Sequence, residues 1–234
     1  MPSTSPSCAI RIHIHVAEDA ADREDAIQNY GMPTVKRLDR LGVTGKKSIF
    51  VHCVHIDDPE MDVLAETDTI VVHNPESNMN NAVGVTQLLK LLAKGVLVGL
   101  GTDGMSSDML AQMRCAYLLH RLDNHDPRVA FVEAPQILLE NNAEICERQF
   151  GLRFGEIAEG LPADLAILDY LPPTPFNENN FLGHLIFGLV DATVDTTVCK
   201  GRILMQGKKI LSLDEERITA RSRELAPKVW KRLH

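Results

Sequence analysis

The sequence lacks the features that mark secreted and membrane-spanning proteins. Its five cysteines are scattered, without a Cys-x-x-Cys pair, at positions 8, 53, 115, 146 and 199. This pattern argues against a disulfide scaffold and favours a reducing compartment. No apolar run approaches the length of a membrane span, and residues 1–8 lack the basic and apolar regions of a signal peptide. We therefore expect a cytoplasmic protein without a membrane partner.

The sequence also lacks an excess of positive charge. It has 24 Lys and Arg against 32 Asp and Glu, which gives a formal net charge of −8. Such a chain is repelled by the phosphates of nucleic acids and by anionic membranes. With 44% hydrophobic residues in 234 positions, it can bury a substantial core. We expect a globular protein without a nucleic-acid partner.

The first half of the chain alternates between predicted strands and predicted helices. The predicted strands are residues 9–16, 48–54, 69–73 and 96–102, and the predicted helices are residues 19–41, 59–66, 85–94 and 108–122. The first helix is expected to break at Gly31-Met32-Pro33, and Asn74-Pro75 is expected to form a turn. This alternation is typical of a parallel sheet covered by helices. A complete (β/α)8 barrel needs eight such units in about 250 residues, so the sequence predicts half a barrel.

The second half of the chain changes character. A helix is predicted over residues 134–150, and a loop rich in Pro and Asn over residues 171–180. Residues 165–168, 194–199, 202–205 and 209–211 are predicted strands, the last three separated by Gly201 and Gly207 as in antiparallel hairpins. We predict a half-barrel at 1–155, a small β domain at 156–212 and a C-terminal helix at 213–234.

The last predicted strand of the half-barrel ends in a carboxylate between glycines, within Val98–Gly104. In strand alternation Gly99, Gly101 and Asp103 share one face, so we expect open space beneath the carboxylate. An Asp at the C-terminal end of an apolar strand is seldom there for packing. Three polar residues upstream are expected to converge on it: His15, Glu18 and His52.

Histidines stand at the end of the first predicted strand. His13 and His15 form a His-x-His pair, which places two imidazoles on one face as metal sites often require. We favour the interpretation that His15 alone lies at the barrel mouth, with His13 hydrogen-bonded one layer deeper in the interior. Glu18 can reach the same point, and the alternative is a His15–Glu18 pair that serves only local stability.

The next two strands also end in histidine. His52 lies at the lip of an apolar strand, while Cys53 is expected to point into the core. His73 is a candidate substrate contact, and loop-shaping roles are expected for Asn74 and Asn78. Three further histidines are expected to carry no chemistry: His120, His125 and His184.

Neutral imidazoles and carboxylates are ligands of divalent metals such as zinc and iron. Such a metal lowers the pKa of its bound water to near neutrality. Asp103 could then accept a proton from the water, Glu18 could protonate the leaving group, and His52 could orient the nucleophile. The sequence supplies two plausible ligands, His15 and Asp103, whereas a catalytic zinc usually has three protein ligands.

The polar motifs follow one another in a fixed order. They are His15-x-x-Glu18, His52-Cys53-Val54-His55, His73-Asn74-Pro75-x-Ser77-Asn78 and Gly101-Thr102-Asp103-Gly104. In that order they resemble barrel strands five to eight of the amidohydrolase superfamily, in its chlorohydrolase and cytosine/guanine-deaminase-like branch. Residues 160–165, 180–188 and 221–230 resemble aminohydrolases associated with selenium metabolism.

The resemblance implies an α/β fold: the C-terminal half of a metal-dependent-hydrolase TIM barrel with a remnant of its small composite β domain. It implies one Zn2+ or Fe2+ ion, with His15 as a metal ligand and Asp103 as the metal-bound general base. Glu18 would be the proton shuttle, and His52 would help to activate the hydroxide. The family's first four strands, with their His-x-His ligands, have no counterpart in this chain.

Three hypotheses follow. The leading one is a hydrolase of non-peptide carbon–nitrogen bonds, an aminohydrolase or deaminase of a small heterocyclic substrate, of which this chain is the C-terminal part. The second is a catalytically inactive half-barrel that acts as an interaction module. The third is a short hydrolase that builds its site across a homodimer, since a half-barrel would expose strand edges at its first and fourth strands.

Overall fold

The computed structural model describes residues 12–233. The first three positions of the predicted strand 9–16 therefore lie outside the described residues. The chain divides into two compact units, of which the first comprises Met1–Glu156 and Phe176–Val190. The second comprises Ile157–Pro175 and Asp191–His234.

The first unit is built on a four-stranded parallel sheet. Its strands are β1 (His13–Val16), β2 (Ile49–His52), β3 (Ile70–His73) and β4 (Val98–Leu100), in the order β1-β2-β3-β4. The register pairs Val16 with His52 and His73 with Leu100. All four strands therefore end at the same edge, as the β-then-α alternation of the sequence predicts.

Helices connect these strands. They are α1 (Ala20–Tyr30), α2 (Thr34–Arg40), α3 (Asp58–Glu66), α4 (Pro75–Asn80), α5 (Leu88–Ala93) and α6 (Met109–Asp123). Asp19 and Asp57 begin α1 and α3 as capping boxes, each accepting a hydrogen bond from the backbone of its own first turn. The predicted break of the first helix is confirmed: α1 ends at Tyr30 and is capped by Gly31, which has a left-handed φ of 71°.

Several predicted boundaries differ from the structure. Asn74-Pro75 does not form a simple turn but begins α4, because proline is well suited to the first position of a helix. β4 ends at Leu100 rather than at residue 102. The predicted helix 134–150 consists of three parts, α7 (Glu133–Gln136), a π-helix (Ile137–Asn141) and α8 (Asn142–Phe150).

The core of the first unit lies between the sheet and its covering helices. Phe50, Val71 and Val98 project from the strands and are fully buried against apolar side chains of α3, α5 and α6. Each such side chain contributes about 1.5–3 kcal/mol to the free energy of unfolding. α9 (Phe181–Phe187) adds Leu185 and Ile186 to this core. For this reason Phe176–Val190 belongs to the first unit.

The outer edge of β4 is closed by two asparagine side chains. The Leu100 amide donates to Asn142 Oδ1 at 3.0 Å, and Asn142 Nδ2 donates to the Leu100 carbonyl at 3.0 Å. Asn141 Nδ2 donates to the Val98 carbonyl at 2.7 Å. An asparagine amide offers the same donor and acceptor as a neighbouring strand. The edge of β4 is therefore not open, contrary to the expectation from the sequence. Within residues 12–233, β1 has no strand on its outer side.

The second unit contains an antiparallel sheet and a C-terminal helix. Its strands are β5 (Leu165–Asp169), β6 (Thr193–Cys199), β7 (Arg202–Gln206) and β8 (Lys209–Ile210), paired in that order. Lys200 and Gly201 have φ of 47° and 73°, the left-handed pair that a tight hairpin turn needs. α10 (Glu215–Trp230) follows. The domain boundaries predicted at 155 and 212 stay a prediction.

The helices of the described residues are short compared with a membrane span. α10 has 16 residues, among them several charged ones, and a helix needs about 20 mostly apolar residues to span a membrane. None of the helices within residues 12–233 is long and apolar enough to do so.

Candidate active site

The backbone is strained where three strands leave the sheet. Ala17, His52, Cys53 and Asp103 have φ of 47°, 72°, 50° and 51°. Residues other than glycine rarely adopt positive φ, and each instance costs about 1–3 kcal/mol. Such conformations persist where the surrounding structure imposes them, and they are frequent at active sites. Here they redirect the chain at the shared C-terminal edge of the sheet.

Four polar side chains meet at this edge. Glu18 Oε2 lies 3.5 Å from His15 Nδ1 and 3.4 Å from His52 Nε2. His52 Nε2 also lies 3.6 Å from Asp103 Oδ2. The His15 and His52 rings meet edge to face with centroids 4.7 Å apart. The structure therefore brings together the residues on which the predicted chemistry depends.

A network of hydrogen bonds surrounds the Nδ1 side of the His52 ring. Thr86 Oγ1 donates to the His52 carbonyl at 3.0 Å, so its oxygen can accept from Asn78 Nδ2 at 3.2 Å. The Asn78 carbonyl oxygen then faces His52 Nδ1 at 2.8 Å. An amide oxygen only accepts hydrogen bonds, so this contact suits a proton on Nδ1. The other ring nitrogen, Nε2, is directed toward the carboxylates of Glu18 and Asp103.

The Nε2 atom of His52 has no hydrogen-bond partner. His52 is fully buried, and its Nε2 atom makes no hydrogen bond. A buried polar atom without a hydrogen-bond partner lowers the free energy of unfolding by about 1–3 kcal/mol, so this position favours binding of a polar ligand. One ligand atom from each of His15, Glu18 and His52 lies within 4.8 Å of the others. Imidazole nitrogens and carboxylate oxygens at this spacing fit a divalent cation of the zinc or iron type.

Asp103 is held in its ionised form. Ser77 Oγ donates to Asp103 Oδ2 at 2.6 Å, and the Gly104 amide donates to Oδ1 at 2.8 Å. The hydrogen bond from Ser77 is the largest cause that lowers the pKa of Asp103, and the Gly104 amide and the nearby histidines act in the same direction. An ionised carboxylate at this point can bind a cation or accept a proton.

Glu18 lies between solvent and the buried histidine. Its side chain is 22% exposed, and Asn81 Nδ2 donates to its Oε1 at 3.2 Å. The other oxygen, Oε2, faces His15 and His52. A carboxyl group that is reachable from solvent and also contacts the buried groups can carry protons between them.

The glycine face of β4 is not the open space that the sequence suggested. A Cβ at Gly99 would lie 2.4 Å from Ile145 Cδ1, and one at Gly101 would lie 2.4 Å from Asn74 Oδ1. The glycines are needed because other side chains approach the backbone closely. Asp103 lies in the turn beyond β4, so the turn rather than the strand directs its side chain.

His13 is exposed, not hydrogen-bonded in a barrel interior as predicted. The reason is that the described four-stranded sheet does not close into a barrel, so the face that carries His13 is not enclosed. His55 Nε2 contacts the Val83 carbonyl at 2.6 Å and holds a loop. Cys53 is fully buried, as predicted for a core residue, and burial raises the pKa of its thiol.

The structure does not bring His73 into the polar cluster. His73 is fully buried, and its Nε2 lies 3.1 Å from Nε2 of His120 on α6. Burial, with the nearby His120 and His52, holds the pKa of His73 well below its usual value. Burial also lowers the pKa of His120 to about 4. A substrate contact from His73 stays a prediction, and His120 has a partner that the sequence did not suggest.

Three side chains that hold the cluster were missed. Ser77, Asn78 and Asn81 contact Asp103, His52 and Glu18 respectively. The signal was present in the spacing: if a helix begins at Pro75, positions 77, 78 and 81 fall on one side of it. Without that helix, Asn78 looked like a residue that shapes a loop.

The model of the amidohydrolase family matches residues 7–204 of this chain. A 5-methylthioadenosine/S-adenosylhomocysteine deaminase of Pelotomaculum thermopropionicum is 36% identical over 221 residues, which are 92% of this chain and 50% of that protein. A 5'-deoxyadenosine deaminase of Methanothermobacter thermautotrophicus is 38% identical over 212 residues, or 88% and 49%. The chain thus spans about half the length of these relatives, in agreement with a C-terminal half.

Solved structures show the same correspondence. An adenosine deaminase of Xanthomonas campestris with bound zinc superposes with a TM-score of 0.82 at 25% identity, over 95% of this chain and 51% of that one. A zinc complex of atrazine chlorohydrolase from Arthrobacter aurescens gives 0.76 at 25% identity, over 92% and 48%. These matches confirm the predicted half of a hydrolase barrel; the finer likeness to selenium-associated enzymes stays a prediction. By sequence and by fold, the chain belongs to the amidohydrolase family.

Proposed function

We propose that this chain provides the C-terminal part of the active site of a metal-dependent aminohydrolase. The observation that carries the proposal is the buried Nε2 of His52, which makes no hydrogen bond and lies between the carboxylates of Glu18 and Asp103. This arrangement places an imidazole beside two carboxyl groups, the side chains that most often transfer protons in hydrolysis.

The proposed reaction is deamination of an adenine-type nucleoside. Two relatives are named as deaminases of adenosine derivatives, and one solved neighbour as an adenosine deaminase. An adenine ring is a heterocycle with an exocyclic amino group, the class of substrate that the sequence predicted. We further propose that the substrate is a small nucleoside and that the protein acts in the cytoplasm.

His15 and Asp103 are the proposed ligands of one Zn2+ or Fe2+ ion. When bound, such an ion lowers the pKa of a water molecule to near neutrality. Two neighbouring structures contain zinc. His15, Glu18 and His52 are an alternative donor set, since their ligand atoms cluster within 4.8 Å. We favour His15 with Asp103 because this leaves Glu18 free to transfer protons and His52 free to orient the water.

The reaction replaces a carbon–nitrogen bond of the ring by a carbon–oxygen bond. His52 Nε2 accepts a hydrogen bond from the attacking water and orients it toward the ring carbon. Glu18 takes one proton from the water and passes it to the ring nitrogen as the carbon–oxygen bond forms. Asp103 takes the second proton and passes it to the amino group, which leaves as ammonia when the carbon–nitrogen bond breaks. Both carboxylates return to their starting state, and the two protons of the water end on the ring nitrogen and on the ammonia.

The test begins with metal binding by the chain itself. We expect the purified chain to bind about one zinc per molecule in isothermal titration calorimetry. Asp103→Asn keeps the shape of the side chain but removes its charge, and it should abolish tight binding. Glu147→Gln, an equivalent change on the exposed surface of α8, should leave binding unchanged.

Three results would count against the proposal. A chain that binds no zinc or iron would favour the inactive interaction module. Zinc binding that survives Asp103→Asn unchanged would overturn the ligand assignment. Turnover of 5'-methylthioadenosine by the complete enzyme that contains this chain is then followed through the absorbance change that accompanies loss of the amino group. Retained turnover in Asp103→Asn would exclude Asp103 as the general base.

A further inference from the structure

We propose that Asn78 is a positioning residue that selects the tautomer of His52. Its amide, held by Thr86, keeps the proton of the neutral ring on Nδ1 and leaves Nε2 bare. The proposal rests on the proposed function, in which Nε2 accepts a hydrogen bond from the attacking water. It adds a task for residues that otherwise take no part in the reaction.

The geometry forms a closed chain of hydrogen bonds. His52 Nδ1 meets Asn78 Oδ1 at 2.8 Å, Asn78 Nδ2 donates to Thr86 Oγ1 at 3.2 Å, and Thr86 Oγ1 donates to the His52 carbonyl at 3.0 Å. All three residues are fully buried. Because water does not reach them, a reversed amide would set Asn78 Oδ1 against Thr86 Oγ1, whose proton is already donated to the His52 carbonyl. Two acceptors would then face each other, at a cost of about 1–3 kcal/mol.

A selecting residue is needed because the carboxylates favour the other tautomer. Glu18 Oε2 and Asp103 Oδ2 lie 3.4 Å and 3.6 Å from Nε2. Negative charges at that distance attract a proton to Nε2, where it would block the lone pair. The Asn78 carbonyl opposes this attraction by stabilising a proton on Nδ1. The tautomer therefore depends on the balance between the carboxylates at Nε2 and the Asn78 carbonyl at Nδ1.

The position of Asn78 on α4 makes this task part of a larger one. Ser77 and Asn81 lie on the same side of that helix and donate to Asp103 and Glu18. The segment 77–81 after β3 thus contacts three site residues: Glu18 after β1, His52 at the end of β2 and Asp103 after β4. β3 itself contributes no residue to the proposed reaction.

The experiment measures the tautomer directly, by two-bond 1H–15N correlation spectra of the histidine rings. Spectra are recorded without metal at about pH 8, above the usual histidine pKa of about 6.5. His52→Gln identifies the signals. We expect a protonated Nδ1 in the wild type, a protonated Nε2 in Asn78→Leu, and the wild-type pattern in Asn78→Asp, which keeps an acceptor oxygen.

Thr86→Val tests the same balance if Asn78→Leu does not fold. It removes one hydroxyl and frees the Asn78 amide to turn, so we expect a mixture of tautomers. Thr67→Val is the matched control, because Thr67 also donates to a backbone carbonyl, that of Val63, but lies outside the site. This control should keep the wild-type spectrum.

A protonated Nε2 in the wild type, or an unchanged tautomer in both Asn78→Leu and Thr86→Val, would overturn the proposal. Neither outcome depends on catalysis, so a failure here is distinguishable from a failure of the proposed function. In the active enzyme, Asn78→Leu should lower kcat about 10–100-fold with KM changed less than about threefold. Asn78→Asp should restore most of the lost rate.

Discussion

The C-terminal ends of β2 and β3 place the same residue in two different environments. His52 and His73 are the last residues of neighbouring strands, both are fully buried, and each has one ring nitrogen without a partner. The φ of 72° at His52 turns the chain at the strand end, whereas His73 ends β3 without a positive φ. His52 contacts carboxylates, and His73 contacts His120 beneath α6. The residue type and its position on the strand therefore do not decide the role; the neighbours do.

The largest expected difference between the two histidines is in turnover. His52→Asn should lower kcat of the complete enzyme about 100–1000-fold, because the hydrogen bond that orients the attacking water is lost and one preorganised hydrogen bond at the reacting atoms is worth about 10²–10³ in rate. His73→Asn should change kcat less than about threefold and should act on stability instead. Steady-state kinetics and urea unfolding of both variants check this. Equal losses of kcat would show that His73 also takes part in the reaction, as the sequence suggested.

The second expected difference is in the pH dependence of stability. The pKa of His120 in the folded state is about 4, below the value of about 6.5 in the unfolded state, because burial disfavours its charged form. As the pH falls through 6.5, the unfolded chain binds a proton that the folded one refuses. The free energy of unfolding should therefore fall by about 2 kcal/mol between pH 7 and pH 5 through His120 alone, and His73 acts in the same direction.

Urea unfolding at the two pH values tests this expectation. His120→Gln should reduce the pH-dependent loss by about 2 kcal/mol, since the titrating group is gone. His13→Gln replaces an exposed histidine of β1 and should leave the loss as in the wild type. An identical pH dependence in His120→Gln and wild type would contradict the buried pair as its source.

The smallest expected effect extends the comparison to β4, whose end also leads to a site residue. Asn142→Ala removes the side chain that pairs with both the amide and the carbonyl of Leu100. Water can replace the amide at a sheet edge, so the free energy of unfolding should fall by only about 1 kcal/mol. Self-association should increase, because the edge becomes open to pairing with another strand.

Asn29→Ala, on the exposed surface of α1, is the control for this change. It removes a hydrogen bond to Asp25 but no contact with a strand. Thermal unfolding and analytical ultracentrifugation compare the two variants. A monomeric Asn142→Ala chain of wild-type stability would show that Asn142 does not protect the edge of β4.

Much of the fold could be predicted from local patterns. Apolar strands alternate with capped helices, and the ends of parallel strands must meet at one edge, which places His15, Glu18, His52 and Asp103 near one another. The predictions that differ from the structure concern particular contacts. The glycine face of β4 is filled by Ile145 and Asn74, and His13 is exposed because the four-stranded sheet within residues 12–233 does not close into a barrel.

The sequence by itself determined the parallel half-barrel and the polar groups at its edge, because periodicity and strand ends are local properties of the chain. Only the tertiary structure decided which nitrogen of His52 faces Asn78 and that His73 contacts His120. Asn78 and His52 are 26 residues apart, and His73 and His120 are 47 apart. Contacts over such separations leave no local pattern, and the direction of a hydrogen bond depends on the third residue that completes the network.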